Sequence, residues 1–275
     1  SALSFLEQLA GQNQEDVNTQ LMLVRGRLAT GDSDGANMLI DQLSEANPTN
    51  PLLQFAKASV KKATGNPAEA ETIFRALLET NANSPRLWLE LADAVAIQGK
   101  ADEAVTVIAE GLAESPDDPN LLWGKASYLE RSGDYDGAIQ IYADLYDSPA
   151  NGDIVANNLA SMLTTYRDDA ESLERAFVVS RRLKDTDVPA FQDTYGWISH
   201  LRGDSDEALE YLTNAAVGLP DDAIVQYHYA QVLLSLQRTD DAIAQLEKTL
   251  DVAGEIDTRP QIQKAREQLK ELQSQ

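Results

Sequence analysis

In PNLLWGKASYLERSGDYDGAIQIYADLYD, Pro119 to Asp147, apolar positions recur with a helical period. Leu122, Ala126 and Leu129 fall on one side of a first amphipathic helix. Ala138, Ile141, Tyr142 and Leu145 fall on one side of a second. Gly133 parts the two, where a left-handed backbone ends a helix at little cost. Pro119 suits a first helical turn, where a missing N–H does no harm. Asp134 and Asp136 stand where carboxylates cap a helix and favour its positive end. The pattern predicts a helix–turn–helix hairpin, and no strands.

The hairpin repeats. Gly31, Gly65, Gly99 and Gly133 are each 34 residues apart, as are Ala36, Ala70, Ala104 and Ala138. Pro51, Pro85 and Pro119 keep the same step. The step then slips by two, because Gly203 and Ala208 lie 70 residues beyond Gly133 and Ala138. One degenerate unit, roughly Asp153 to Val188, fits between. Ala242 resumes the 34-residue step, although Gln237 stands in the glycine place. The reading is one domain over residues 1–275: a partial repeat at 1–16, about seven repeats over 17–256 with the fifth irregular, and a capping helix at 257–275. Ile262, Ala265, Leu269 and Leu272 form one apolar stripe on that last helix, which suits a terminal cap. A small residue such as Ala138 lets helices approach, and Tyr142 one turn later fills the space beside it. The expected fold is all-α: a right-handed α-solenoid, or superhelix, with a concave and a convex surface.

This pattern resembles the tetratricopeptide repeat, a helix–turn–helix unit of the same length. The best copies are Arg86 to Pro116, Leu121 to Tyr146 and Phe191 to Asp222. In the last, Gly196, Ala208, Ala215 and Pro220 fill the family's small and breaking positions. Ala92, Ala104 and Pro116 do so in the first, with Gly111 in place of the late alanine. The run Asn157–Asn158–Leu159–Ala160, the irregular unit after it and Asp193–Thr194–Tyr195–Gly196–Trp197 resemble bacterial envelope-associated repeat proteins. These include exopolysaccharide-export lipoproteins and protease adaptors. That resemblance favours a periplasmic or envelope location, with the cytoplasm as the alternative.

The resemblance also implies a site. Family members usually bind peptides or extended protein segments on a concave surface lined by the first helix of each unit. Outward positions on those helices are Arg25, Phe55, Arg86, Trp123, Arg131, Asn157, Asn158, Trp197, His200 and Tyr227, with Ser161, Lys62, Asp93, Glu130 and Gln231 nearby. Aromatic and Arg anchors are the usual chemistry of such surfaces. Trp123 and Trp197 can equally pack between adjacent units, whereas Trp88 occupies an intra-repeat packing place. The Lys–Asn set with which chaperone-binding relatives hold a C-terminal carboxylate has no counterpart at Leu21, Arg25, Phe55 and Ser59.

Composition narrows the classes. The formal charge of -23 repels phosphate backbones and argues against nucleic acid. With no cysteine there is no thiolate or disulfide chemistry. No apolar run approaches the ~20 residues of a membrane span. The two histidines, His200 and His228, are too few for an ordinary zinc set. The acidic pairs Asp117–Asp118, Asp168–Asp169, Asp221–Asp222 and Asp240–Asp241 sit at helix starts and read as caps. The expectation is therefore a non-enzymatic interaction scaffold or adaptor, with no catalytic residue, cofactor or metal. The alternative is a self-assembly element, a homo-oligomer formed through the N-terminal half-repeat at Leu3, Leu6 and Leu9. The abrupt helical opening suggests a piece of something longer.

Overall fold

The computed structural model describes residues 2–274. It is helical throughout, with no strand among the described residues, and forms two compact units that divide between Ala138 and Ile139.

The first unit holds α1 (Ala2–Gln12), α2 (Val17–Ala29), α3 (Ser33–Ala46), α4 (Pro51–Ala63), α5 (Pro67–Leu78), α6 (Pro85–Ile97), α7 (Ala101–Glu114) and α8 (Pro119–Ser132). Helix α9 (Tyr135–Asp147) carries the division. Within the unit, α2 pairs with α3, α4 with α5 and α6 with α7, and each second helix packs on the next first helix. The second unit holds α10 (Asp153–Tyr166), α11 (Ala170–Ser180) with a 3-10 turn at Arg181–Leu183, α12 (Pro189–Leu201), α13 (Ser205–Gly218), α14 (Ala223–Ser235), α15 (Thr239–Ala253) and α16 (Pro260–Gln273). Here α10 pairs with α11, α12 with α13 and α14 with α15, while α16 covers α14 and α15. Each unit is thus a stack of helical hairpins of the right-handed α-solenoid class.

The small residues make that stacking close. Ala36, Ala70, Ala104, Ala138, Ala208 and Ala242 are all fully buried. In the first unit the core runs from Leu21, Ile40 and Leu53 to Phe74, Leu91, Ile108 and Leu121. In the second it gathers around Leu212 and Val232 and around Tyr227, Leu246 and Ala265. On α8 Ala126 is fully buried, as the sequence stripe predicts, but Leu121 is buried in place of Leu122, and Leu122 and Leu129 are only half-buried.

Helix ends follow the capping rules. Asp16, Asp32, Asn50, Asp118, Asp169 and Asp222 each accept from an amide in the first turn of the helix they precede. Of the four acidic pairs, Asp240–Asp241 differs: both lie inside α15, and Asp241 pairs with Arg238 at 2.6 Å. Gly31, Gly65, Gly99, Gly133 and Gly203 take positive φ after a first helix, and Gln237 adopts φ 58° in the same place.

One feature was not anticipated from the apolar pattern. The fourth residue of most first helices reaches back to the end of the preceding element. Gln54 Nε2 donates to Pro48 O at 3.1 Å, Trp88 Nε1 to Ala82 O at 2.6 Å and Gln192 Nε2 to Thr186 O at 3.0 Å. Gln20 donates to Ala10 O and Asn13 O, and Gln226 to Ala216 O and Leu219 O. Gln263 does the same to Asp257 O from the terminal helix. These carbonyls lie where a preceding element ends, and the side chain adds a donor there, in some cases beside a backbone N–H, as at Ala10, Asn13 and Leu219.

Candidate functional site

The first helices of the first unit share a polar and aromatic row. The Phe55 ring, on α4, meets Phe74 edge-on at 5.7 Å and carries the Arg86 guanidinium of α6 at 4.3 Å. At the other end of α4, Lys62 pairs with Glu90 at 2.7 Å and Asp93 at 3.5 Å. Asp93 in turn accepts from the Tyr128 hydroxyl of α8 at 2.8 Å. Burial, then the neighbouring Asp93 carboxylate, raises the Tyr128 phenol well above its usual range, so it stays a donor. The Arg131 guanidinium lies over the Tyr128 ring at 5.6 Å. Trp123 remains 42% exposed on α8, and Leu52 48% exposed on α4. Arg25 is exposed on α2.

The second unit treats its candidates differently. The Trp197 indole stacks on His228 at 4.1 Å and on His200 at 5.2 Å, with the Tyr227 ring 6.3 Å away. His228 Nδ1 is 3.0 Å from both carboxylate oxygens of Asp193. Burial, with the charges of His228 and Lys264 adding to it, lowers the His200 imidazole from its ordinary value. Tyr227 is buried in the cluster of Ala230, Leu246 and Ala265, and burial pushes its phenol up to about 12. Asn157 is half-buried and accepts from the Thr194 hydroxyl at 2.8 Å, while its amide faces Asn158 at 3.4 Å. Gln231 and Gln268 exchange a reciprocal amide pair at 2.8 and 3.0 Å.

The sequence-derived residues therefore part into two groups. Phe55, Arg86 and Arg131 belong to one row, and Trp123 is exposed on α8, the helix that carries Arg131. Trp197, His200 and Tyr227 join one aromatic cluster that packs α12 against α14, and Asn157 ties α10 to α12. His228 and Asp193, which complete that cluster, were not among the outward positions. The signal for them is that they lie 35 residues apart, as do Asp93 and Tyr128, so each pair joins consecutive first helices.

Other chemistry is sparse. Among the described residues no group of three or more His, Cys, Asp or Glu side chains is placed to hold a metal ion. No described helix is long and apolar enough to cross a membrane. A cleft of about 440 Å³ beside α10 is lined by Leu163, Arg167, Asp168, Asp169 and Leu201, but Asp169 is engaged in capping α11.

These features define a class: stacked helical hairpins that present side chains for contact. The tetratricopeptide repeat profile matches residues 62–128 and 200–272, just over half of the sequence, and the chain belongs to that family. No curated protein matches the sequence. Among solved structures, a chain of the Cut9–Hcn1 APC/C hetero-tetramer is similar at 15% identity and a TM-score of 0.65, covering 98% of this chain and 52% of that one. Yeast Tom70 is similar at 18% identity and a TM-score of 0.61, covering 99% and 58%. YrrB, a TPR protein with an unusual peptide-binding site, is similar at 14% identity and a TM-score of 0.52, covering 70% and 97%. The chain thus spans little more than half of the first two. Proteins of this fold generally act as protein–protein interaction scaffolds or adaptors.

Proposed function

We propose that this chain is a non-enzymatic scaffold or adaptor that holds an extended protein segment on the surface lined by its first helices. The observation that carries the reading is the exposure of Leu52 on α4 and Trp123 on α8, the first helices on either side of the one that supplies Arg86 to the Phe55 ring. Large apolar side chains left in water next to guanidinium groups are the usual anchors of an interface. The peptide-binding site named for YrrB is consistent with this use of the fold. Pull-down from the native extract with wild type and with Leu52→Ala/Trp123→Ala tests it. The double variant should melt like wild type and lose its partners. An unchanged partner set would overturn the reading.

Self-assembly is the second reading, favoured by Phe5, which is 65% exposed on α1 while Leu6 of the same helix packs on Gly26. Light scattering of wild type against Phe5→Ser decides it: a dimer mass lost in the variant supports it, and a monomer in both sinks it. The envelope setting rests on the resemblance of the Asn157–Ala160 and Asp193–Trp197 runs. Recovery of the native protein in the cytoplasmic fraction would refute that setting.

A further inference from the structure

The cations of the first unit are mostly committed to carboxylates. Lys57 and Lys61 bind Asp41, Lys62 binds Glu90, Arg75 binds Glu71 and Glu103, Lys100 binds Glu71, and Arg27 lies 3.8 Å from Asp32. Acidic residues number 45 against 22 basic ones in the chain, yet of the five guanidinium groups of this unit only Arg27 and Arg75 meet a carboxylate among the described residues. Arg86 and Arg131 are among the remaining three. Both are exposed, and neither has a carboxylate in ion-pair reach among the described residues. Each is instead laid over an aromatic ring, Phe55 or Tyr128. Half-buried Lys125 and exposed Arg25 also lack an acid partner, but neither joins this row.

Stacking through the guanidinium face orients the group while leaving its edge N–H donors free. A planar fork of that kind matches a carboxylate. The acids of the same row are already engaged: Glu90 and Asp93 share Lys62, and Asp93 also accepts from Tyr128. Burial raises the Glu130 carboxyl from its ordinary value, and Glu130 makes no ion pair with Arg131 among the described residues. Arg86 and Arg131 therefore offer unpaired positive charge on first helices of an acidic unit, where α4 and α8 also expose Leu52 and Trp123.

We propose that the row takes an acidic extended segment, whose carboxylate side chains meet Arg86 and Arg131 while its apolar side chains lie on Leu52 and Trp123. The inference deepens the first-helix reading above and rests on it. The chain's overall negative charge opposes the approach of such a segment. That repulsion is screened beyond about 8 Å at physiological salt, whereas contact between a fork and a carboxylate is screened much less.

Fluorescence anisotropy on the full chain tests the idea with three short fluorescein-labelled peptides. One alternates Glu with Leu and Tyr; the others replace Glu by Gln or by Lys. The Glu peptide should bind at least about tenfold more tightly than the other two. Arg86→Gln/Arg131→Gln should lose about tenfold in affinity for it, whereas Arg75→Gln, whose guanidinium is already engaged, should not. Thermal melts establish that the variants are folded. Equal binding of the Glu and Gln peptides, preference for the Lys peptide, no binding of any peptide, or an equal loss in Arg75→Gln would each overturn the proposal. If the Gln peptide binds as well as the Glu peptide and Leu52→Ala/Trp123→Ala abolishes both, the acidic preference falls and the first-helix surface stands.

Discussion

Gly111 and Gly26 both lie within helices and both touch a neighbour, but an added methyl would meet different atoms. At Gly111 it would stand 2.6 Å from Cγ and 2.8 Å from Cβ of Trp88, atoms fixed close to the backbone. At Gly26 it would stand 2.7 Å from Leu6 Cδ1, the free end of a flexible side chain. Alanine gains up to about 1 kcal/mol in helix propensity at either place, but overpacking costs roughly 1–3 kcal/mol where nothing can yield. Gly111→Ala should therefore lower the denaturation midpoint, and Gly26→Ala should leave it nearly unchanged. Gln237 is the converse case. A left-handed non-glycine backbone costs roughly 1–2 kcal/mol, and glycine returns about 0.5–1 kcal/mol of that as entropy. Gln237→Gly should stabilise by about 0.5 kcal/mol or more in urea titration. The glycine register and its failure at Gln237 were legible in the sequence. The different fates of Trp123 and Trp197 were not. A repeat places the backbone, but what covers an outward indole depends on the following first helix, and that helix supplies His228 and Tyr227 to Trp197.

At the scale of the helix, the backward-reaching donors give each junction a polar tie as well as an apolar one. Their importance should track burial. Gln226 is fully buried, serves two carbonyls, and also accepts from Gln245 at 2.6 Å. Gln54 serves one carbonyl near the surface. Gln226→Leu should cost about 1–3 kcal/mol by leaving buried groups unpaired, and Gln54→Leu under about 1 kcal/mol, both read by chemical denaturation. The hairpins themselves were plain from the apolar period and the capping carboxylates. The ties were written in the sequence as Gln20, Gln54, Trp88, Gln192, Gln226 and Gln263, yet apolar periodicity passes over a polar residue on a half-buried face. The shift from Leu122 to Leu121 on α8 has the same origin, because Leu122 occupies the place that carries the donor elsewhere.

Across the molecule, the repeat spacing breaks between Gly133 and Gly203, and the division into two units falls inside that interval. Why it falls at Ala138 is a matter of summed packing, which no single spacing records. The folded chain also responds to acid. His200 is lowered in the folded state, so the unfolded chain binds its proton first. The folded state is therefore favoured above the unfolded value of 6.5, and that contribution is lost as pH falls below it. Melting temperature should drop from pH 7 to pH 5, and His200→Gln should flatten part of that slope; an unchanged slope refutes the assignment. One consequence of the ties concerns where the array tolerates extra chain. The loop before α8 is followed by Leu122, which has no side-chain donor, so a short Gly–Ser insertion after Pro116 breaks no tie from α8 and costs only the turn bond from Asp118 N–H to Ser115 O. The same insertion after Asn83 would drag Ala82 off the Trp88 indole. A tag or a graft therefore belongs at the former place and not at the latter.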